Sequence, residues 1–227
     1  MADKKNVQQL EGGDAAIAKA KDFWGKNNKI IIGICAAIII LGGGWLIYDK
    51  MFKGPKIKKA EASIWKAESY YRKDSFRLAL QGDGQNWGFE KVISTYGGTP
   101  TGNLARLYAG ICYTRLNENA NAVKHLKKFS SSSKPSQQLA YRLLGDNLAD
   151  MGNFKEALDY YKKAAHHFED DKTASASSLF RAAGTAEKLK DTKEAIELYK
   201  ELRDKYPSTM EGNSADMYLA QLGDYNN

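Results

Sequence analysis

Acid–base or metal chemistry in this chain would have to begin with its three histidines, His125, His166 and His167. An imidazole works as a general base only beside a group that orients it, and as a metal ligand only with further donors at matching spacing. Each of these histidines stands near the end of a predicted helix, among lysines or acids, where solvated helix-end histidines are expected. No Ser, His and Asp constellation is suggested, and no Gly-x-Gly-x-x-Gly or phosphate-binding loop follows a strand. Asp83 and Asn86 offer hard oxygen ligands, but a calcium loop alternates several carboxylates and closes on Glu. Gly82-Asp83-Gly84-Gln85-Asn86 is turn chemistry instead. Catalytic residues, cofactors and metals are therefore not expected, and the chain reads as a binding module.

Recognition is the chemistry left. A stack of helix pairs exposes a concave surface along the first helix of each pair. The residues expected to line it are Leu104, Leu107 and Ile111, then Leu139, Arg142, Asp146 and Asp150, then Ser177, Phe180 and Glu187. Such a surface, apolar at one end and charged at the other, suits an extended polypeptide or a partner helix. The alternative is that part of it packs on the domain's own terminal helix. A carboxylate clamp of paired Lys and Asn is not expected, because Leu107/Ile111 and Arg142/Asp146 occupy those positions.

The elements that hold these residues repeat. From Gly145 to Ala164 small residues stand where two helices would cross (Gly145, Ala157, Ala164), with Tyr161 filling the space between. The frame recurs with Gly110, Ala122, Leu126 and Phe129 upstream, and with Ala183, Ala195, Tyr199, Leu202 and Pro207 downstream. This pattern resembles the tetratricopeptide repeat, whose period is about 34 residues. Short polar turns (Asn117-Glu118-Asn119, Gly152-Asn153, Lys190-Asp191-Thr192) join the paired helices, and Ser130 to Ser133 read as a flexible turn closed by Pro135. The first unit departs from the frame. Its first helix is predicted over Lys56 to Lys73, with Ile57, Ala60, Ile64, Ala67 and Tyr71 inward. About 14 residues then precede Gly88-Phe89, and Phe76, Leu78 and Leu80 alternate within them, predicting an extended segment or loop. Ser214 to Leu222 would cap the stack.

Ahead of the repeats, Ile30 to Ile47 hold no charge. At ~1.5 Å per residue such a run spans the ~30 Å core of a bilayer, with Trp24 at one interface and Trp45 and Tyr48 at the other. The segment before it is too long and too acidic for a cleavable signal peptide, so an uncleaved anchor is expected. The predicted fold class is all-α: one transmembrane helix over 30–48, then an α-solenoid of about four helix pairs with a capping helix over 49–227. Residues 1–29 form the leading segment, where Asp14 reads as the N-cap of a short amphipathic helix carrying Ile17, Ala20 and Trp24; a plain extension of the span is the alternative. Gly54-Pro55 marks the exit.

The formal charge is +7, and residues 53–227 hold 27 Lys and Arg against 22 acids. The excess is spread along helices, so nucleic acid is not an expected partner. Lys50, Lys53, Lys56, Lys58 and Lys59 beyond the span suit an anionic bilayer surface. Lysines flank the span on both sides, so charge does not choose an orientation. Cys35 and Cys112 fall in different elements and no disulfide is expected.

The stretch Asp74-Ser75-Phe76, Ala79-Leu80, Gly82-Asp83-Gly84, Gly88-Phe89 and Gly102-Asn103-Leu104-Ala105 through Tyr108-Ala109-Gly110 resembles the single-span repeat proteins that serve as ancillary subunits of the bacterial Sec translocon, in the form found in Bacteroidetes-like bacteria. The resemblance covers nearly the whole chain. It implies an inner-membrane protein with its N-terminus in the cytoplasm and its repeats in the periplasm. It also implies two partners, the SecYEG channel and a membrane-anchored prolyl-isomerase-like chaperone. The dense lysine flank after the span departs from a simple inside-positive pattern. Two other functions fit the residues: a scaffold of a different envelope assembly machine, and a tethered holdase chaperone.

Overall fold

The computed structural model describes residues 3–225; side chains are described for these except 3–16, Ala18, 45–49 and Phe52. The chain divides after Pro55 into two compact units.

The first unit is one long helix, α1 (Asp3–Tyr48), followed by a π-helical turn (Asp49–Lys53). Lys19–Gly44 is long and apolar enough to cross a membrane, and its window is not buried against protein. Ile38, Ile39, Ile40 and Leu41 are largely exposed. Asp14 does not start a separate helix: α1 runs through Gly12 and Gly13, whose cost of roughly 1 kcal/mol each relative to Ala weakens a helix without ending it. Trp24 is exposed. The side chains of Trp45 and Tyr48 lie outside the described ones.

The regular elements among the second unit's described residues are helices, joined by short turns and with one isolated bridge between Gly82 and Trp87. Its helices are α2 (Gly54–Tyr71), α3 (Phe76–Gln81), α4 (Phe89–Tyr96), α5 (Pro100–Arg115), α6 (Asn119–Leu126), α7 (Lys134–Asp150), α8 (Phe154–His167), α9 (Lys172–Lys188), α10 (Thr192–Lys205) and α11 (Met210–Gln221). They pair as α5/α6, α7/α8 and α9/α10, with α11 closing the end and α2 packing Ile64 and Ala67 into a cluster with residues of α3, α4 and α5. The extended segment expected at Phe76, Leu78 and Leu80 is instead helix α3. Its buried side chains are Ala79 and Leu80, with Phe76 half-buried and Leu78 exposed. Positions 76, 79 and 80 share a helix face; the alternation of larger residues hid it because the alanine, not Leu78, points inward. Asp83 then closes the turn after α3, accepting from Gln85 N at 3.0 Å, Asn86 N at 2.6 Å and the Tyr70 hydroxyl at 2.6 Å. These donors, Tyr70 first, hold its carboxyl well below the usual carboxylate range.

Close crossing of the paired helices rests on small residues. A Cβ on Gly110 would lie 2.5 Å from Leu126 Cγ, and one on Gly145 would lie 2.5 Å from Tyr161 Cδ1. Ala122, Ala157, Ala183 and Ala195 are fully buried at the equivalent crossings. Buried amides tie neighbouring pairs. Gln138 Nε2 donates to Ala164 O at 3.0 Å and to Ser175 Oγ at 3.1 Å, and Asn147 Nδ2 donates to Thr114 Oγ1 at 2.7 Å. Cys112 lies fully buried in the core of the first pairs, among Phe89, Val92 and Leu80. Both cysteines are free thiols, Cys35 exposed on α1.

His125 is not the solvated helix-end residue its position suggested. Its side chain is buried, stacks on Tyr113 with ring centroids 5.5 Å apart, and sets Nε2 3.0 Å from Glu90 Oε1. Tyr113 donates to the same oxygen at 2.7 Å. Together these contacts, the His125 hydrogen bond first, hold Glu90 below its ordinary value of 4.5. A carboxylate with a lowered folded-state value stabilises above about pH 4.5, and that contribution is lost as pH falls through the folded value. Glu90→Gln should therefore melt below the native chain at pH 7, with the gap closing between about pH 5 and pH 3. A gap constant over that range in calorimetry would reduce the Glu90 contribution to packing.

Candidate partner-binding groove

Side chains of α5 and α7 face a shared cavity, and Tyr71 at the C-terminal end of α2 contributes to its lining. The space between them holds about 500 Å³, lined by Tyr71 from α2, Ile111, Thr114 and Arg115 from α5, Asn117 from the turn, and Leu139, Arg142, Leu143, Asp146 and Asp150 from α7. A second lobe, a cavity of about 210 Å³, lies between α7 and α9 beside Pro135, Asp171, Ala174 and Ser178. Leu139 and Arg142 line both, so the two cavities share a wall on α7. This volume suits a few side chains of an extended chain.

One carboxylate sets the floor of the groove. Asp146 Oδ1 accepts from the Tyr161 hydroxyl at 2.9 Å and from Arg181 Nη1 at 3.1 Å, while Oδ2 accepts from Arg142 Nη1 at 2.9 Å. The three donors come from α8, α9 and α7. Burial, then the Asp146 charge, pushes the Tyr161 phenol well above its ordinary value, so it stays a donor. Arg115 and Asp150 are exposed and have no ion-pair partner among the described residues. They are the charges left for a ligand, flanked by the apolar surface of Ile111, Leu139 and Leu143.

Of the residues expected to line the groove, the structure brings Ile111, Leu139, Arg142, Asp146 and Asp150 together. The rest lie elsewhere. Leu107 is a core side chain packed with Ala122, Leu126 and Leu144. Leu104 is partly exposed on α5 outside both lobes. Phe180 meets Tyr218 of α11 edge to face at 5.1 Å and Tyr199 at 6.1 Å, so the chain's own terminal helix covers it. Glu187 accepts from the Tyr199 hydroxyl at 2.6 Å. On α9 the lining falls to Ala174 and Ser178 in place of Ser177. Tyr71 and Arg115 line the cavity beyond the residues expected there, and Arg181 reaches it through Asp146. The helix face of Tyr71 points to the core by spacing alone, and the ion pair from Arg181 to Asp146 spans two repeats with no sequence signature.

The other histidines do not make a second site. His166 Nδ1 lies 3.3 Å from Glu169 and 3.6 Å from Glu201, close enough for these three residues to share an ion. The Lys205 ammonium already pairs with both carboxylates, at 3.3 and 3.0 Å. His167 packs edge-on against Tyr141.

Comparison with known proteins agrees with this architecture. Residues 136–208 match the family model of the tetratricopeptide repeat. No curated protein matches the chain in sequence. Among solved structures, the nearly identical TPR-like repeats of a predicted kinesin light chain from Podosopora anserina superpose with a TM-score of 0.53 at 14% identity, covering 72% of this chain and 85% of that one. A point variant of the same repeats gives the same TM-score and is covered over 84% of its own chain. At that identity the likeness speaks for the fold alone. The chain thus carries tetratricopeptide repeats over residues 136–208, and repeats of this class imply a protein–protein interaction module.

Proposed function

We propose that this is a membrane-anchored interaction module that serves as an accessory subunit of the Sec protein-export channel. Its anchor crosses the inner membrane with the N-terminus in the cytoplasm, and its repeats stand in the periplasm. There the groove holds a membrane-anchored prolyl-isomerase-like chaperone or an emerging polypeptide beside SecYEG. The observation that carries the binding role is the pair of cavities that share the α7 wall of Leu139 and Arg142, with Arg115 and Asp150 uncommitted at the edge of the larger cavity. Support for the Sec partners is the resemblance carried by residues 74–110, joined to a helix apolar enough to span a bilayer. Tethering to one membrane raises the local concentration to ~mM, so weak groove contacts suffice.

The test is mild-detergent purification of the tagged full-length chain from native membranes, with quantitative mass spectrometry. SecY and a periplasmic chaperone are expected in near-stoichiometric amounts. Leu139→Glu and Arg115→Glu are expected to reduce chaperone recovery by about tenfold, as loss of ~1.4 kcal/mol would do, without disturbing membrane insertion. Enrichment of another envelope complex would keep the module and overturn the Sec assignment. Aggregation of a denatured client suppressed by the chain alone would favour the holdase.

A further inference from the structure

The outer face of α2 is unpartnered. Ala60, Ile64 and Ala67 turn into the core, which leaves Lys58, Ala62 and Trp65 on the opposite side, all exposed. Trp65 is 57% exposed, an unusual place for the largest apolar side chain unless something covers it. The Lys66 ammonium sits 5.3 Å from the Trp65 ring and 5.4 Å from the Tyr70 ring, a cation held between two aromatics. Lys56, Lys58 and Lys59 are exposed and have no acidic partner among the described residues. Glu61 and Glu68 are the acids of this helix, against four lysines.

Aromatic rings interleaved with lysines match the headgroup zone of a bilayer, where an indole is half in hydrocarbon and an ammonium meets phosphate. A second copy of the chain would bring like charges together on this face, whereas an anionic lipid surface complements them. The helix also follows the candidate span directly in sequence. Between them lie a π-helical turn, Gly54 and Pro55, and Pro55 lacks the N–H that would bond back to Met51.

We infer that the Lys58–Trp65 face of α2 rests on an anionic lipid surface, with Trp65 at headgroup depth and Lys58 and Lys59 against lipid phosphates. The inference rests on the chain's being membrane-anchored, and goes beyond the groove. Its test uses the full-length chain with Trp24, Trp45 and Trp87 changed to Phe, reconstituted into phosphatidylcholine vesicles with or without about 30% phosphatidylglycerol. Flotation comes first: a chain that fails to float with either vesicle overturns the anchor, and this inference with it. In floating samples, Trp65 emission is expected to shift to the blue with phosphatidylglycerol and to be quenched by doxyl-labelled lipid. Lys58→Glu with Lys59→Glu, or about 0.5 M salt, should reduce that quenching at least threefold. Emission equally open to acrylamide in both vesicles would overturn the inference. So would protection that ignores lipid charge and grows with protein density, which would assign the face to a second copy.

Discussion

Gly212→Ala is expected to destabilise the solenoid by about 3 kcal/mol. An added Cβ would lie 1.9 Å from Tyr206 O and 2.7 Å from its carbonyl carbon. The obstacle is backbone, so no rotamer change relieves it and α11 must move. The reason for the close approach is a local motif that occurs twice. Thr209 caps α11 by accepting from Gly212 N at 3.0 Å while its hydroxyl donates to Tyr206 O at 2.9 Å. Thr99 does the same between Gly102 N, at 3.1 Å, and Tyr96 O, at 2.8 Å. Both turns read Tyr-x-x-Thr-x-x-Gly, and the glycine lets the new helix start against the carbonyl that ends the old one. Gly102→Ala, with a Cβ 2.0 Å from Tyr96 O, should behave alike. For a unit of this size the loss corresponds to roughly 6–12 °C in Tm. Gly184→Ala is the contrast: it lies within α9 with nothing within 4 Å, and should stabilise by about 0.5–1 kcal/mol. Thermal melts followed by circular dichroism decide the matter, and equal Tm values for Gly212→Ala and the native chain would sink the argument.

Tyr199→Ala should cost about 3–5 kcal/mol, as for a buried aromatic. Its ring is 1% exposed, stacks on Tyr218 at 5.1 Å with planes 8° apart, and meets Phe180. Its hydroxyl, pushed far above its ordinary value by burial and then by Glu187, remains a donor. Tyr199→Phe keeps the stack and loses one hydrogen bond, a loss of about 1 kcal/mol. The alanine variant should also free α11, so that limited proteolysis cuts near Met210 long before the rest of the solenoid. If the first cut falls elsewhere, α11 is not held by this aromatic stack. Release of α11 would uncover Phe180, restoring the apolar groove end that its sequence position suggests.

How much of this was legible depended on how far a residue's role is set by its own turn of helix. Small residues at the crossings could be found, because Gly110, Gly145 and Ala183 each face a bulky neighbour at a fixed offset in the frame. On α7 the stripe Leu139, Arg142, Asp146, Asp150 follows helical spacing and lines one cavity. On α5 and α9 the same reasoning slipped. One residue turns a helix by ~100°, enough to carry Ser177 and Phe180 away from the lobe that Ala174 and Ser178 line. Leu107 stands one turn before Ile111 but inside the crossing with α6, where the solenoid closes. Tertiary charge pairs such as Arg181 with Asp146 and Lys162 with Glu194 join separate repeats and leave no period to read.

Cys112 gives the solenoid a clock. Its sealed position in α5, with burial pushing the thiol up to about 12, disfavours the thiolate at pH 7 even before access is considered. An oxidising compartment would pass it by. In a chain with Cys35 changed to Ala, the rate of maleimide capture at Cys112 would report how often the first helix pairs open, and partner binding across that region would register as a slower tick.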